Sequence, residues 1–292
     1  MRYSRYTTHP VRTLSDPLPP VDDALHEALP RFVQAHQRLF VITGAGISTD
    51  SGIPDYRDNA GAWKRSPPMT LQAFMGSARA RARYWARSMI GWRSFGRAEP
   101  NIAHHALAAM ERTGHIELLL TQNVDGLHEA AGSHNVVDLH GRLDRVRCMT
   151  CGDITPRSLF QKKLAEANPL WLDMQATIAP DGDADLDNAD FASFLVPPCP
   201  ICGGVLKPDV VFFGENVPRA RVDTAWAHLA RADAMLVIGS SLMVYSGYRF
   251  VREASRRGLP IASVNLGVTR ADDLLDLRIP LPIADALAPF LP

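Results

Sequence analysis

The stretch Leu39-Phe40-Val41-Ile42-Thr43-Gly44-Ala45-Gly46-Ile47-Ser48-Thr49-Asp50-Ser51-Gly52-Ile53-Pro54-Asp55-Tyr56-Arg57 decides the fold. Its first residues form a short apolar run of the kind buried in a parallel sheet, and Gly44 and Gly46 allow a tight turn whose backbone N–H groups can approach a phosphate. A hydride-transferring dinucleotide site would continue to a third glycine at position 49 and to an acidic residue about twenty positions on. Thr49 stands there instead, and no acid occurs between Trp63 and Arg97. The stretch therefore opens like a dinucleotide turn and then departs from one.

Further apolar runs end in polar or glycine-rich turns: Ile116–Thr121, Val136–Leu139, Ala234–Ile238 and Ile261–Val264. Helical patterns lie between them at Ala78–Trp92, Ala103–Arg112, Ala220–Ala230 and Tyr248–Arg257. Alternation of this kind predicts an α/β fold, a Rossmann-like doubly wound parallel sheet covered on both faces. In such a sheet ligands bind beyond the carboxyl ends of the strands. Polar clusters occur at those ends: Gly44–Arg57, Thr121–Gly126, His140-Gly141, Gly239-Ser240-Ser241 and Asn265-Leu266-Gly267. Any one of them could be routine capping of the next helix, but five at one edge predict a shared nucleotide cleft.

Every cysteine belongs to one of two pairs, Cys148-x-x-Cys151 and Cys199-x-x-Cys202. Two such knuckles supply four thiolates for one tetrahedral zinc ion, and Gly152, Gly203 and Gly204 permit sharp turns beside them. The segment between the pairs is longer than in a compact ribbon and contains a helical pattern at Ser158–Ala167, so the metal-binding module carries an insert. With four thiolates and no open position implied, one structural Zn2+ is expected. Disulfides are the competing assignment, disfavoured in an intracellular chain. The acidic run Asp181–Asp187 fails as a calcium loop, because Leu186 and Ala192 occupy the positions that need Gly and Glu.

The chain has 292 residues, 46% hydrophobic content and zero formal net charge. It is long enough for one large domain plus a small one. No basic field argues for nucleic acid or an anionic membrane, and no apolar stretch reaches the roughly 18 residues of a membrane span. Residues 1–20 carry Arg2, Arg5 and Arg12 with no acid before Asp16. They read as an N-terminal tail or, less simply, as a mitochondrial presequence. A cytoplasmic location is expected, or the mitochondrial matrix in the presequence case. The expected division is a tail at 1–27, a discontinuous Rossmann-like domain at 28–141 and 207–292 with a helical insertion near 58–100, and a zinc module at 142–206.

Taken together, Gly44–Ser48 through Pro54-Asp55-Tyr56-Arg57, Gln122-Asn123-Val124-Asp125, Leu139-His140-Gly141, the two cysteine pairs, Lys207–Glu215, Gly239-Ser240-Ser241 and Asn265 resemble the sirtuins, the NAD-dependent protein-lysine deacylases. The match runs in family order from about residue 28 onward. Arg83–Arg87, Gly91-Trp92 and Phe212–Pro218 resemble its class II branch. Tyr56 replaces a common Phe, and Leu281–Asp285 lacks the usual Gly-Glu pair near the adenine-edge position Ile283.

The resemblance implies NAD as co-substrate and acyl-lysine proteins as partners; beside it, a monomer with neither a nucleic-acid nor a membrane partner is expected. It implies attack of the acyl oxygen on ribose C1′, with His140 as the general base that activates the 2′-OH. A histidine near its ordinary pKa of about 6.5 suits that task. Asn123 would orient the ribose and a water, Asp125 would bind the nicotinamide carboxamide, and Gln122 the ribose hydroxyls. Val124 lies between them in the same motif. Asp55, Tyr56 and Arg57 would close over the cofactor, with Arg57 near the phosphates. Gly44, Ala45, Gly46, Ser48 and Thr49 would approach the diphosphate opposite Gly239, Ser240 and Ser241. Asn265, Leu266, Gly267 and Ile283 would take the adenosine end.

A substrate strand would pair with Val210, Phe212 and Gly214 and with residues 244–247. Tyr84 and Arg87, three apart on a helix, form the kind of pair that some sirtuins use for acidic acyl groups. Rival functions on the same residues are protein mono-ADP-ribosylation, a zinc-stabilised NAD sensor and, opposed by Thr49, an oxidoreductase.

Overall fold

In the computed structural model, which describes residues 23–64, 68–174, 183 and 190–291, the strands are β1 (Leu39–Thr43), β2 (Ile116–Thr121), β3 (Val136–Asp138), β4 (Gly141–Cys148), β5 (Ile154–Pro156), β6 (Leu206–Val210), β7 (Ala234–Ile238), β8 (Ile261–Val264) and β9 (Leu277–Ile279). The helices are α1 (Asp23–Ala35), α2 (Leu71–Gly76), α3 (Ala78–Phe95), α4 (Ile102–Arg112), α5 (Leu127–Ala130), α6 (Arg157–Ala167), α7 (Arg219–Leu229), α8 (Tyr245–Arg256) and α9 (Ile283–Leu287). The presequence-like segment 1–20 and, apart from Asp183, the acidic run 181–187 lie outside the described residues.

Six parallel strands pair in the order β3-β2-β1-β7-β8-β9. The order reverses between β1 and β7, the switch point at which a doubly wound sheet leaves a crevice. Alternation of side chains explains the two-layered core. Leu39, Val41, Leu236, Ile238 and Val264 face one side with Leu29, Leu107 and Leu287 of α1, α4 and α9. Phe40, Ile42, Met235 and Val237 face the other side with Leu229 and Phe250 of α7 and α8. Burial on both faces is why β1 and β7 read as continuous apolar runs.

Three differences from the sequence reading have local causes. Helix α1 starts at Asp23, inside the span expected to be tail, because Leu25 and Ala28 pack against the first core layer. Edge strand β9 is only three residues long and alternates poorly, which hid it. Helix α8 begins at Tyr245, three residues earlier than its pattern suggested, so 245–247 form a helical first turn and offer no extended edge to a substrate strand.

The second sheet is antiparallel, in the order β5-β4-β6, and carries the cysteines. Helices α2 and α3 pack against it. Phe74 of α2 and Tyr84, Trp85 and Met89 of α3 share a core with Val146, Cys148, Phe160, Cys199, Leu206 and Phe212. Helix α3 is well specified locally. The Ser77 hydroxyl accepts the Ala80 N–H as an N-cap, and Gly96 ends the helix. The indole of Trp85 donates to the Leu206 carbonyl at 3.1 Å, which ties α3 to β6.

Candidate functional site

The C-terminal ends of β1, β2, β7 and β8 open on one cavity of about 580 Å³. The residues expected at the cofactor line it: Gly44, Ala45, Gly46, Ser48, Thr49, Asp55, Tyr56, Arg57, Gln122, Asn123, Val124, Asp125, Gly239, Ser240, Ser241, Asn265, Leu266, Gly267 and Ile283. His140, Tyr84, Val210, Phe212 and Gly214 line it as well, whereas Arg87 does not. The volume and the mixed polar and aromatic lining suit an extended dinucleotide plus a side chain.

The turn after β1 is a 3₁₀ helix, Ala45–Ser51, rather than an α-helix. Its glycines face the protein: a Cβ on Gly44 would lie 2.8 Å from Ser240 Cβ, and one on Gly46 would lie 2.9 Å from the Gly239 carbonyl oxygen. They are needed so that the turns after β1 and β7 can touch across the switch point. Asn101, which caps α4, braces the 3₁₀ turn from behind, donating through Nδ2 to the Ile47 carbonyl at 2.8 Å and to Ser51 Oγ at 3.0 Å.

A polar chain crosses the cavity wall. Asn123 Nδ2 donates to Ser48 Oγ at 3.0 Å, and that hydroxyl donates to Asp125 Oδ2 at 2.8 Å. The Leu127 amide donates to the other oxygen of Asp125 at 3.0 Å. Ser48 is fully buried and joins the two motif residues. Burial raises the Asp125 pKa, and the bonds from Leu127 and Ser48 oppose the rise. Gln122 is fixed from both ends, its backbone N–H on the Thr43 carbonyl and its Nε2 on Ser240 Oγ at 2.7 Å.

His140 Nδ1 lies 2.9 Å from the Gln122 carbonyl oxygen, and its Nε2 lies 2.7 Å from Ser246 Oγ. A carbonyl only accepts, so Nδ1 carries the hydrogen and Nε2 keeps the lone pair. Burial lowers the pKa to about 4, the Gln122 bond opposes this, and Arg221 and Arg249 add to the lowering. The expectation of an ordinary value is corrected accordingly: at neutral pH the imidazole is a neutral base. Ser246 carries no motif signal beyond its closeness to Gly239-Ser240-Ser241, and sequence reasoning missed it.

Residues 55–64 form a folded flap. The Arg57 guanidinium lies 3.9 Å from the Trp63 ring centroid and donates to the Gly61 carbonyl at 2.7 Å, while Lys64 pairs with Asp55. Trp63 also meets Tyr56 edge-on. Gly267 lets the turn after β8 rest on Asn59, whose backbone lies 2.8 Å from where a Cβ would sit. The buried Tyr84 ring packs against Phe74 and Phe212 at 5.4 and 5.3 Å and forms an aromatic wall. Tyr84 lines the cavity, and the half-buried Arg87 follows it one turn on without lining it.

The four Sγ atoms lie within 4.8 Å of one another, with Cys148–Cys202 at 3.5 Å and Cys151–Cys199 at 3.8 Å. A tetrahedron with Zn–S bonds of about 2.3 Å has edges of about 3.8 Å, so the set fits one zinc ion. These separations are far beyond a disulfide bond of about 2.05 Å. Backbone N–H groups of Cys151 and Thr150 aimed at Cys148 pull its thiol down to about 6.

A doubly wound sheet whose strand ends open on a cavity lined by a neutral histidine and a buried Asn-Ser-Asp chain, with a four-thiol module beside it, has the form of a nucleotide-binding enzyme. A sequence profile of the Sir2 family matches residues 44–246. The chain belongs to the Sir2 family. It is 65% identical over 263 residues to an NAD-dependent protein deacetylase of Xanthomonas axonopodis pv. citri, covering 90% of each chain. It is 62% identical over 266 residues to one of Bordetella pertussis, covering 91% of this chain and 97% of the relative. A solved structure described as Sir2-p53 peptide-NAD+ superposes with a TM-score of 0.72 at 30% identity, covering 90% of this chain and 95% of that one.

Proposed function

We propose that this protein is an NAD-dependent protein-lysine deacylase that moves the acyl group of an acyl-lysine side chain to ADP-ribose and releases nicotinamide. The observation that carries the reading is His140, held neutral with Nε2 facing the same cavity as the Asn123–Ser48–Asp125 chain. The names of the relatives and the peptide and NAD+ of the solved neighbour support it.

In this reading Gly44–Thr49 and Gly239–Ser241 hold the diphosphate, and Asn265, Leu266, Gly267 and Ile283 hold the adenosine end. Gln122 and Asn123 position the nicotinamide ribose, and Asp125 accepts from the carboxamide. Asp55, Tyr56 and Arg57 shield the bond that breaks. His140 Nε2 takes the proton of a ribose hydroxyl, which leaves the oxygen free to attack the activated acyl carbon. The acyl chain runs along Tyr84 and Phe212, and the substrate backbone along Val210–Gly214. The four cysteines hold a structural zinc whose contribution is to close the second core.

The test is steady-state turnover with NAD and a panel of acyl-lysine peptides. Nicotinamide and acyl-ADP-ribose are the expected products, both lost in His140→Tyr. Transfer of ADP-ribose to protein with the acyl group retained would establish the ribosyltransferase instead.

A further inference from the structure

Among the described residues, Ser246 is the side chain bonded to the basic nitrogen of His140, at 2.7 Å, and it lines the same cavity. Three features keep it there. It belongs to the first turn of α8, whose next residue, Gly247, packs so closely on Gln122 that a Cβ would lie 2.7 Å from Oε1. Gln122 is also the residue whose carbonyl holds Nδ1 of the same imidazole. Arg249, one turn on, donates through Nε to the Ser246 carbonyl at 3.0 Å. One contact between α8 and the end of β2 therefore fixes both hydrogen bonds of the ring.

We propose that Ser246 is a positioning residue for deacylation: its hydroxyl donates to His140 Nε2, holds the ring with its lone pair facing the cavity, and cedes that nitrogen to the ribose hydroxyl when NAD binds. The proposal rests on His140 as the base. No covalent step involves Ser246. With nothing donating to Nε2, the ring can turn about χ2 and loses a bond that favours its neutral form. The charged groups facing it are Arg221 of α7 and Arg249 of α8, and both remain in the variant.

The experiment compares wild type, Ser246→Ala, Ser246→Thr and His140→Ala in the full-length, zinc-loaded protein, using NAD and an acetyl-lysine peptide. A ring no longer held in place must be brought back before the base can act, and a cost of about 1 kcal/mol for doing so predicts a kcat about three- to tenfold lower in Ser246→Ala, with KM for NAD changed by less than about twofold. The acid limb of kcat/KM should move to higher pH, and Ser246→Thr should restore both. Exchange of labelled nicotinamide, which needs only the step before the base acts, should persist in Ser246→Ala and shows that the variant is folded. Wild-type kcat and an unmoved acid limb in Ser246→Ala, with His140→Ala inactive, would overturn the role of Ser246 alone. Full kcat in His140→Ala would overturn the base assignment itself.

Discussion

Acidification should destabilise this protein through a pair of buried histidines beneath the active cavity. His104 is fully buried at the start of α4, where its Nδ1 accepts the Asn101 N–H and closes a capping box. Its Nε2–H has no hydrogen-bond partner among the described residues, and its ring lies 4.8 Å from that of His128. His128 is equally enclosed, with Nε2 2.9 Å from Thr43 Oγ1. Burial, with a smaller push from His105, lowers the His104 pKa to about 4, and burial holds His128 well below its ordinary value.

Between about 6.5 and about 4 the unfolded chain therefore binds more protons than the folded one, so stability falls as pH falls through that window. For His104 alone, the loss from pH 7.5 to 5 is about 2 kcal/mol, with His128 acting in the same direction. The assay is urea unfolding at both pH values of wild type and His104→Gln. Gln at this helix position can still accept the Asn101 N–H and so preserves the capping box while removing the titration. Any shared contribution from the cysteines or His140 cancels in the difference. Wild type should lose about 2 kcal/mol more than the variant, and equal losses would refute the reasoning.

Other outcomes follow from the same contacts. Ser48→Ala removes the link between Asn123 and Asp125 and should cost about 1–3 kcal/mol of stability and most of kcat, as read by thermal unfolding and turnover. Because His140 is unprotonated above about 4, initial rates of kcat/KM should show their acid limb below about pH 5 rather than near 6.5. The protein should contain one zinc per chain. Chelation should lower Tm and alter the fluorescence of Trp85 and Trp171, which share a core with Cys148 and Cys199. Arg87→Met should change the succinyl-to-acetyl turnover ratio by less than about twofold, since Arg87 does not line the cavity; a selective loss on succinyl peptide would bring it back into the acyl site.

Residues whose signal is local were legible in advance. Strand β1 and the cysteine pairs need only short-range pattern, and the polar residues at strand ends are marked because a parallel sheet gathers its strand ends at one edge. Ser246 and Trp63 were not legible, because each matters through a partner distant in sequence or in an irregular loop. Spacing of three places Tyr84 and Arg87 on neighbouring parts of a helix face, but spacing alone does not say which of them reaches the cavity, and Tyr84 is the one that lines it.

The sequence by itself determined the parallel sheet, its switch-point glycines, the four thiols and the motif that carries His140, since each depends on period, composition or spacing along the chain. Only the tertiary structure decided that helices α2 and α3 share a core with the cysteine module, and that Gly44 and Gly46 face Gly239 and Ser240. It alone decided that His140 is neutral with Nε2 toward the cavity. Desolvation and hydrogen-bond direction depend on which groups meet in space, and the groups that meet at His140 come from the ends of three different elements.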